Sequence, residues 1–277
     1  MRASEADDLA FALTLAQEAG LVVMERYERL ERIRHKSAKD VVTEADHLSE
    51  ELMIRAIRGR YPDDGILAEE SGHHEAARAE EAAEASGRTW VLDPLDGTVN
   101  YANGIPFFCI SVALTVDGAP SVGVVHDPTR HETFAATAHG PATLNGRRIA
   151  VSGKEQLSDA VVALALAGRS VTSRVRAVRR AVRVSRSMGS SALSLVYVAN
   201  GRFDAFAQSR GQSAWDVAAA GLIAARGGAR LTDLAGGPWF DIARASGAWG
   251  VLAAPPTLHA TDSIQSMSLG SSSEVYG

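Results

Sequence analysis

The segment WVLDPLDGTVNY contains two carboxylates, Asp93 and Asp96, three residues apart across a turn that includes a proline. Such a turn can bring both side chains to one point, where their like charges repel unless a cation compensates them. Mg²⁺ suits this role because it prefers hard oxygen ligands and joins carboxylates to substrate phosphates. Gly97 and Thr98 then begin a helical or turn segment whose free N–H groups can receive phosphate oxygens. The alternative is structural: Asp93 ends a strand and 96–98 form a capped turn.

Three further acidic positions favour the metal-site interpretation. Asp46 follows VVTEA near a predicted helix start, Glu69 and Glu70 end the apolar run ILA, and Asp216 follows a tryptophan at the start of an apolar helix. Each has a simpler explanation when it is taken alone. Asp46 and Asp216 are common types of helix N-cap residue, and Glu69 or Glu70 could be a surface carboxylate at a strand end.

The elements that must position these residues follow from hydrophobic periodicity. Apolar residues at helical spacing predict helices over 4–30 and 46–60, with a polar connection between them and an irregular insertion over 73–88. From Trp90 onward, apolar runs separated by turn pairs such as Asp117-Gly118 and Asn145-Gly146 predict an antiparallel meander. The second half alternates strands and helices. We therefore expect an α+β lobe over 1–148, an α/β lobe over 149–260 and a disordered tail over 261–277.

Bulk composition excludes several classes of protein. With 277 residues, 46% of them hydrophobic and 22% charged, the chain is typical of a folded globular protein. No apolar run approaches the length of a membrane-spanning helix, and the acidic start differs from a secretion signal, so we expect a cytoplasmic protein. The single Cys109, within FFCISVAL, is expected to be a buried and inert thiol.

Charge argues against a nucleic-acid partner, although the charge is unevenly distributed. The formal net charge is −5, which disfavours binding that depends on neutralising many phosphates. One stretch of the second half nevertheless carries seven arginines: Arg169, Arg174, Arg176, Arg179, Arg180, Arg183 and Arg186. This run is either a solvated helix face or a surface for an anionic substrate or partner.

The segments ILAEESG, WVLDPLDGT and WDVAAAGLIAARGGA, in this order and at these separations, resemble the inositol monophosphatase family. Its members are lithium-sensitive, magnesium-dependent phosphatases, and they include fructose-bisphosphatase-like, histidinol-phosphate and phosphoadenosine-phosphate phosphatases. The resemblance extends from the first helix to about His259. It implies a layered αβαβα sandwich, a homodimer, and hydrolysis of a phosphate monoester of a small polyol or sugar-like alcohol.

The resemblance also assigns roles to the acidic residues. Glu69, Asp93 and the backbone carbonyl of Leu95 would bind one Mg²⁺; Asp93, Asp96 and Asp216 would bind a second; and a weaker third would lean on Glu69. Mn²⁺ is expected to substitute for Mg²⁺. A metal that lowers the pKa of water and stabilises both entering and leaving oxygens is consistent with these roles.

The catalytic residues implied by the resemblance surround this centre. Thr98, assisted by Asp46, would orient the water that attacks phosphorus in line, and Glu70 would orient a water from outside the ligand set. Gly97 and Thr98 would contact the phosphate. Lys36 matches the basic residue of a mobile loop, although local spacing leaves His35 or Lys39 open.

Substrate contacts follow with one departure from the family pattern. Asp96, Asp216 and the turn Gly189, Ser190 and Ser191 would contact the alcohol. Counting back from Asp216 without gaps places Ser209 where inositol-preferring relatives carry a glutamate, and Arg210 adjoins it. This departure favours a different polyol, an aminated alcohol or a substrate with a second anionic group, unless Arg210 simply faces solvent.

Two readings from other classes compete with the phosphatase. The first is a regulatory or scaffolding protein that retains the fold without turnover. The second is a nucleic-acid binder that uses the arginine-rich run, for which the sequence contains no recognised motif.

Overall fold

The computed structural model of the chain describes residues 4–29, 33–37, 40–75, 87–165, 172–244, 246–247 and 249–261. The helices are α1 (Glu5–Arg26), α2 (Glu44–Arg60), α3 (Thr98–Ala102), α4 (Thr172–Ala181), α5 (Ser191–Ala199), α6 (Ala214–Arg226) and α7 (Pro256–His259). The predicted tail lies almost entirely outside the described residues, as does most of the predicted insertion.

Fifteen strands form three sheets among the described residues. A small hairpin pairs β1 (Ile33–Ser37) with β2 (Asp40–Thr43). The largest sheet contains β3 (Gly65–Ala68), β4 (Gly72–His74), β5 (Arg88–Asp96), β6 (Cys109–Val116), β7 (Ala119–Asp127), β8 (Glu132–Thr137), β9 (Thr143–Leu144) and β10 (Arg147–Arg148). The third contains β11 (Val161–Ala165), β12 (Val184–Arg186), β13 (Ala205–Gln212), β14 (Arg230–Thr232) and β15 (Trp249–Ala254).

Strand pairing confirms the predicted meander and adds a parallel pair. The eight-stranded sheet has the order β10-β9-β8-β7-β6-β5-β3-β4, and β5 to β10 follow one another as antiparallel neighbours. Only β3 pairs with β5 in parallel within this sheet of the described chain. The five-stranded sheet has the order β12-β11-β13-β15-β14, in which β11 runs parallel to both of its neighbours.

Side chains on alternate faces of the strands divide the core into layers. On β5, Trp90 and Leu92 pack with α1 and α2, whereas Val91 packs with α5 and α6 on the other face. This alternation follows from the two-residue period of a strand. Because both faces of the sheet are covered, its central strands read as nearly continuous apolar runs.

The five-stranded sheet completes the sandwich. Its inner face shares the α5 and α6 core, and its outer face packs against Val178 and Val182, at and just beyond α4, and Leu258 of α7. The order α1–α2, eight-stranded sheet, α5–α6, five-stranded sheet, α4–α7 confirms the predicted layered αβαβα fold.

One glycine allows the central layer to approach the large sheet closely. A Cβ built on Gly123 of β7 would lie 2.7 Å from the carbonyl oxygen of Ala219 in α6. Real Cβ atoms do not tolerate such a distance, so a larger residue would push α6 away from the sheet. Since α6 begins two residues before Asp216, the distance between α6 and the sheet also helps to set the position of the Asp216 carboxylate.

Candidate metal centre and active site

An irregularity at the end of β5 turns Asp93 and Asp96 towards the same place. On β6, Asp93 pairs with Ser111 and Asp96 pairs with Cys109, so three residue steps on β5 oppose two on its neighbour. Pro94 lies inside this bulge, where its missing N–H costs no ladder hydrogen bond. Asp93 is 1% exposed and Asp96 is 7% exposed, so both residues are buried in the protein.

Asp216 lies at the start of α6. Ser213 is the N-cap, and Asp216, three residues later, accepts a 2.5 Å hydrogen bond from the backbone N–H of Ser213. This reciprocal arrangement is a capping box. Carboxylate oxygens of Asp93, Asp96 and Asp216 all lie within 4.8 Å of one another. The structure therefore brings together three acidic residues from β5 and α6, as the metal-site interpretation requires.

These carboxylates line a cavity of about 430 Å³. The other predicted ligands, Glu69 and Leu95, also line it, together with Gly97 and Thr98. The remaining lining residues are Val99, Gly189, Gly211, Ser213 and Trp215. None of the described residues that line this cavity is basic.

Burial and mutual repulsion raise the pKa of the cluster. Desolvation, followed by the charges of Glu69, Asp96 and Asp216, raises the pKa of Asp93 well above its usual value. Burial also raises the pKa of Asp96, against hydrogen bonds from Ser190 and the start of α5 that lower it. Carboxylates held this close without a cation tend to retain protons, whereas a divalent cation would favour their charged forms.

Thr98 lines the cavity and bonds to Asp46, which is not among the lining residues. The Thr98 hydroxyl lies 3.1 Å from Asp46 Oδ1 and 3.0 Å from the carbonyl oxygen of Leu95, so its single proton faces two acceptors. Asp46 is fully buried and also accepts bonds from the N–H and hydroxyl of Thr43 at 2.8 and 2.6 Å. Its pKa is raised to about 6, mainly by burial.

The helix-start interpretation of Asp46 and Asp216 is correct in position, although neither residue is the N-cap. Thr43 and Ser213 are the N-caps, and both aspartates occupy the third helical position of a capping box. The sequence signal was the spacing in TEAD and SAWD. Capping the helix and facing the site are therefore compatible roles for each of these side chains.

Glu69 and Glu70 follow the last residue of β3. Glu69 donates its N–H to the carbonyl oxygen of Leu92, whereas the N–H of Glu70 bonds to Glu50 Oε2 at 2.9 Å. The charge of Glu70 also raises the pKa of Asp46, so the two carboxylates lie near each other. Sequence reasoning did not identify Glu50.

The predicted substrate turn is tied directly to Asp96. The Ser190 hydroxyl donates a 2.5 Å hydrogen bond to Asp96 Oδ2, and the backbone N–H of Ala192 donates to the same oxygen at 2.7 Å. The N–H of Ser191 reaches the other carboxylate oxygen at 3.3 Å. Because these groups begin α5, Asp96 connects the end of β5 to the start of that helix.

A second cavity, of about 200 Å³, adjoins the first at Gly189, which lines both. Its polar lining is Ser187, Ser190, Ser191, Ser194 and Gln208, and its apolar lining is Ala163, Leu164, Ala165, Met188 and Phe206. It opens where the parallel strands β11 and β13 end, a common position for ligands in such sheets.

Gln208, which sequence reasoning missed, faces this cavity instead of its neighbour Ser209. Its side-chain oxygen accepts a 2.9 Å hydrogen bond from the Ser191 hydroxyl. Ser209 and Arg210 line neither cavity among the described residues, and Arg210 is exposed. The pairing of β13 with β15 shifts register between Gln208 and Gln212, where four residue steps on β13 oppose two on β15.

Two further sequence predictions have different outcomes. Lys36 lies in β1 by its backbone, but its side chain is outside the described part of the structure, as are those of His35 and Lys39. Cys109 is fully buried, and burial raises the pKa of its thiol well above the usual value. This confirms the expectation of a buried thiol.

The fold and the site together define a class of protein: a layered α+β sandwich with an acidic cavity, suited to divalent cations, at the end of β5 and the start of α6. The sequence profile of the inositol monophosphatase family matches residues 5–268. The chain therefore belongs to the inositol monophosphatase family.

Individual relatives agree with this assignment. The chain is 36% identical over 249 residues to a Nus factor SuhB from Pseudomonas aeruginosa, covering 84% of this chain and 87% of that protein. It is 36% identical over 238 residues to inositol monophosphatase 2 from Solanum lycopersicum, covering 83% and 88%. The crystal structure of the extragenic suppressor protein suhB from Bartonella henselae superimposes with a TM-score of 0.83 at 30% identity, covering 94% and 98%.

Membrane insertion has no support among the helices. Within the described ranges, no helix combines the length and the apolar character needed to cross a membrane.

Proposed function

We propose that the chain is a magnesium-dependent phosphatase that hydrolyses a phosphate monoester of a small polyol or sugar-like alcohol. The observation that carries this proposal is the meeting of Asp93, Asp96 and Asp216 within 4.8 Å, in a cavity that Thr98 also lines. Family membership supports the same activity.

The donor set fits Mg²⁺ because all of its atoms are hard oxygens. Glu69, Asp93 and the Leu95 carbonyl would hold one ion, and Asp93, Asp96 and Asp216 would hold a second, with a weaker third near Glu69. When bound, Mg²⁺ would lower the pKa of water and stabilise negative charge on the entering and leaving oxygens.

The remaining tasks fall to the chain's own groups. Thr98, whose hydroxyl donates a hydrogen bond to Asp46, orients the attacking water. As the water attacks, the Thr98 hydroxyl accepts a proton from it and passes its own proton to the Asp46 carboxylate. The backbone N–H groups at Gly97 and Thr98 receive phosphate oxygens. Gly97 has a φ of 101°, and a Cβ there would lie 3.0 Å from the carbonyl oxygen of Phe107, so the phosphate turn requires glycine.

The smaller cavity receives the alcohol. Hydroxyls of Ser191 and its neighbours and the amide of Gln208 both donate and accept hydrogen bonds, which suits a polyhydroxylated ring or chain. No charged side chain lines this cavity within the described residues. The hydroxyls and the amide that line it suit the hydroxyls of a polyol, so a polyol monophosphate is the substrate class we propose.

The proposal is tested by steady-state hydrolysis of a phosphate monoester panel with Mg²⁺. The panel contains inositol 1-phosphate, histidinol phosphate, fructose 1,6-bisphosphate and phosphoadenosine phosphate. Asp93→Asn should reduce kcat/KM by at least about 100-fold, because it removes a shared ligand of two ions. The matched control is Asp63→Asn, an exposed aspartate outside the site. Full activity of Asp93→Asn with the best substrate would refute the assignment.

Gln208→Leu separates the alcohol from the phosphate. Loss of hydrogen bonds to the alcohol should raise KM for a polyol phosphate by about 10-fold, since a good hydrogen bond contributes about 0.5–1.5 kcal/mol. Hydrolysis of 4-nitrophenyl phosphate, which has no aliphatic hydroxyls, should change little. An equal effect on both substrates would argue against a role in recognising the alcohol.

Lithium sensitivity and the homodimer stay predictions of the family resemblance, and the cytoplasmic location stays a prediction from the sequence composition. Inhibition by lithium is measured directly in the same assay, since Li⁺ can occupy a Mg²⁺ position. Full activity at high millimolar Li⁺ would contradict that prediction.

A regulatory role without turnover is the second candidate, and the relative named Nus factor is the observation that favours it. Titration of the protein with Mg²⁺ and inorganic phosphate distinguishes the two. Binding of both without hydrolysis of any substrate in the panel would support the regulatory role.

A further inference from the structure

One face of α2 contacts three separate segments of the site. Asp46, Ser49 and Glu50 are all buried, and they lie on adjacent turns of this helix. Asp46 bonds to Thr98, Ser49 to the bulge at the end of β5, and Glu50 to the turn after β3. Two of these side chains, Ser49 and Glu50, have no part in the chemistry proposed above.

Glu50 fixes the peptide that follows Glu69. This peptide consists of the Glu69 carbonyl and the Glu70 N–H, and Glu50 Oε2 accepts that N–H at 2.9 Å. On its other side, Glu69 donates its own N–H to the Leu92 carbonyl at 3.2 Å. Both peptides that flank Glu69 are thereby held, although β3 ends at Ala68. The backbone from which the Glu69 side chain extends is therefore restrained on both sides.

Ser49 acts on the other ligand segment in the same way. Its hydroxyl donates a 3.1 Å hydrogen bond to the Pro94 carbonyl, which lies between the two carboxylates of the β5 bulge. The next N–H, that of Leu95, donates to Asp93 Oδ1 at 3.0 Å. The bulge is therefore restrained both by its own carboxylate and by α2.

Burial makes the Glu50 contact costly to build for stability alone. The Glu50 side chain is 4% exposed, and a carboxylate removed from water is stable only where hydrogen bonds compensate it. A hydrogen bond to a charged acceptor is stronger than one between neutral groups, so the carboxylate holds the Glu70 peptide firmly. Such a side chain suits a task that requires exact orientation of its neighbour.

We propose that Glu50 is a positioning residue that orients Glu69 for binding a divalent cation, with Ser49 serving the Asp93 bulge. The inference rests on the proposed function, because it assumes that Glu69 and Asp93 are cation ligands. Groups that hold metal ligands from behind commonly change metal affinity by about 10- to 100-fold when they are removed.

Calorimetric titration of the metal-free protein with Mg²⁺, repeated with Mn²⁺, tests this inference. Glu50→Ala should weaken the tighter binding step by about 10-fold or more, whereas Glu50→Gln, whose amide oxygen can accept the same N–H, should stay within about 3-fold of the wild type. The matched control is Glu51→Ala. Glu51 adjoins Glu50 on α2 but is exposed and pairs with Arg55, so its removal should leave the affinity unchanged.

Kinetics separate positioning from a structural role. In Glu50→Ala the Mg²⁺ concentration for half-maximal activity should rise, while kcat at saturating Mg²⁺ should return to within about 3-fold of the wild type. Thermal unfolding in EDTA checks the fold. If Glu50→Ala is unfolded, Ser49→Ala provides the same test at the bulge, with the same expected weakening.

Two results would overturn the inference: unchanged Mg²⁺ affinity in both Glu50→Ala and Ser49→Ala, or equal losses in Glu50→Gln and Glu50→Ala. The first would show that these contacts do not position the ligands, and the second that charge acts and not the accepted hydrogen bond. Failure of the proposed function looks different: the wild type would bind Mg²⁺ but hydrolyse no monoester, and the affinity comparison would still decide the role of Glu50.

Discussion

The two ends of β5 handle buried carboxylates in opposite ways. At its start, Arg88 bonds to Asp8 at 2.9 Å and to Asp64 at 3.0 Å, with all three side chains at most 12% exposed. Trp90 adds a hydrogen bond from its indole N–H to Asp64 at 2.9 Å. Burial works against the charge of Arg88, yet its hydrogen bonds and ion pairs with the two aspartates raise its pKa overall.

At the other end of the strand, Asp93 and Asp96 meet Asp216 with no basic residue among the described cavity lining. The Asp8–Arg88–Asp64 cluster contains a cation of the chain itself, which offsets part of the charge of the two aspartates, and it holds α1, β5 and the turn before β3 together. A buried acidic cluster without a basic side chain among its described neighbours requires a cation from solution or bound protons. The difference between the two clusters distinguishes a structural site from a binding site more clearly than burial does.

The largest effect is expected from breaking the balance at the structural end. Arg88→Met should destabilise the metal-free protein by about 3–5 kcal/mol, because it leaves two buried carboxylates unpaired. Asp93→Asn should have the opposite sign and stabilise the metal-free protein, since it removes one of several repelling charges. Urea unfolding in EDTA measures both free energies.

Arg55→Met is the control for this pair. It removes an exposed arginine that pairs with Glu51 on α2, and such surface pairs contribute only about 0–1 kcal/mol. A loss in Arg88→Met no larger than in Arg55→Met would show that the Asp8–Arg88–Asp64 cluster does not hold the fold. A marked loss of stability in Asp93→Asn would contradict the view that its cluster is unbalanced without metal.

Addition of Mg²⁺ should stabilise the variants at the two ends of β5 by unequal amounts. At 100 times its Kd, an ion that binds only the folded state stabilises it by about 2.7 kcal/mol. The free energy of unfolding of the wild type and of Arg88→Met should rise by this amount, whereas that of Asp93→Asn should rise much less. Equal stabilisation of wild type and Asp93→Asn by Mg²⁺, measured by thermal unfolding, would place the cation elsewhere.

The sequence contained most of the fold because its local signals agree with one another. Apolar runs between turn pairs predicted the meander, and the turn at Asn145-Gly146 has the positive φ angles, 49° and 75°, that this dipeptide favours. The short polar hairpin of β1 and β2 was not predicted as strands, because its sequence lacks a continuous apolar face. Short strands such as β12 were missed for a related reason.

The candidate site was predictable where ligands follow their motifs closely, and less so where a bulge or a distant contact intervenes. Asp93 and Asp96 lie within one turn, and the capping-box spacing locates Asp46 and Asp216. Gln208 was missed because it lies beside an irregular stretch of β13, where four residue steps oppose two on β15, and a sequence count gives no sign of which side chain faces the cavity. Glu50 was missed because its bond to the Glu70 N–H joins residues twenty apart that only the packing of α2 brings together.

The smallest effect concerns Asp46, a buried carboxylate that accepts hydrogen bonds from Thr43 and Thr98. Its pKa is raised from 3.8 to about 6, so the folded protein holds a proton there at pH values where the unfolded chain has lost it. The folded state is therefore favoured at low pH and loses stability as the pH rises from the lower of these two pKa values to the higher.

From pH 5 to pH 7 the wild type should lose roughly 1 kcal/mol more than Asp46→Asn, which has no proton to lose. Urea unfolding of both proteins in EDTA measures this difference, and because Asp93 and Asp96 are present in both, their titration cancels to first order. A pH dependence identical in the two proteins would mean that the bonds from Thr43 and Thr98 fully offset the burial of Asp46, which would then belong with the balanced carboxylates.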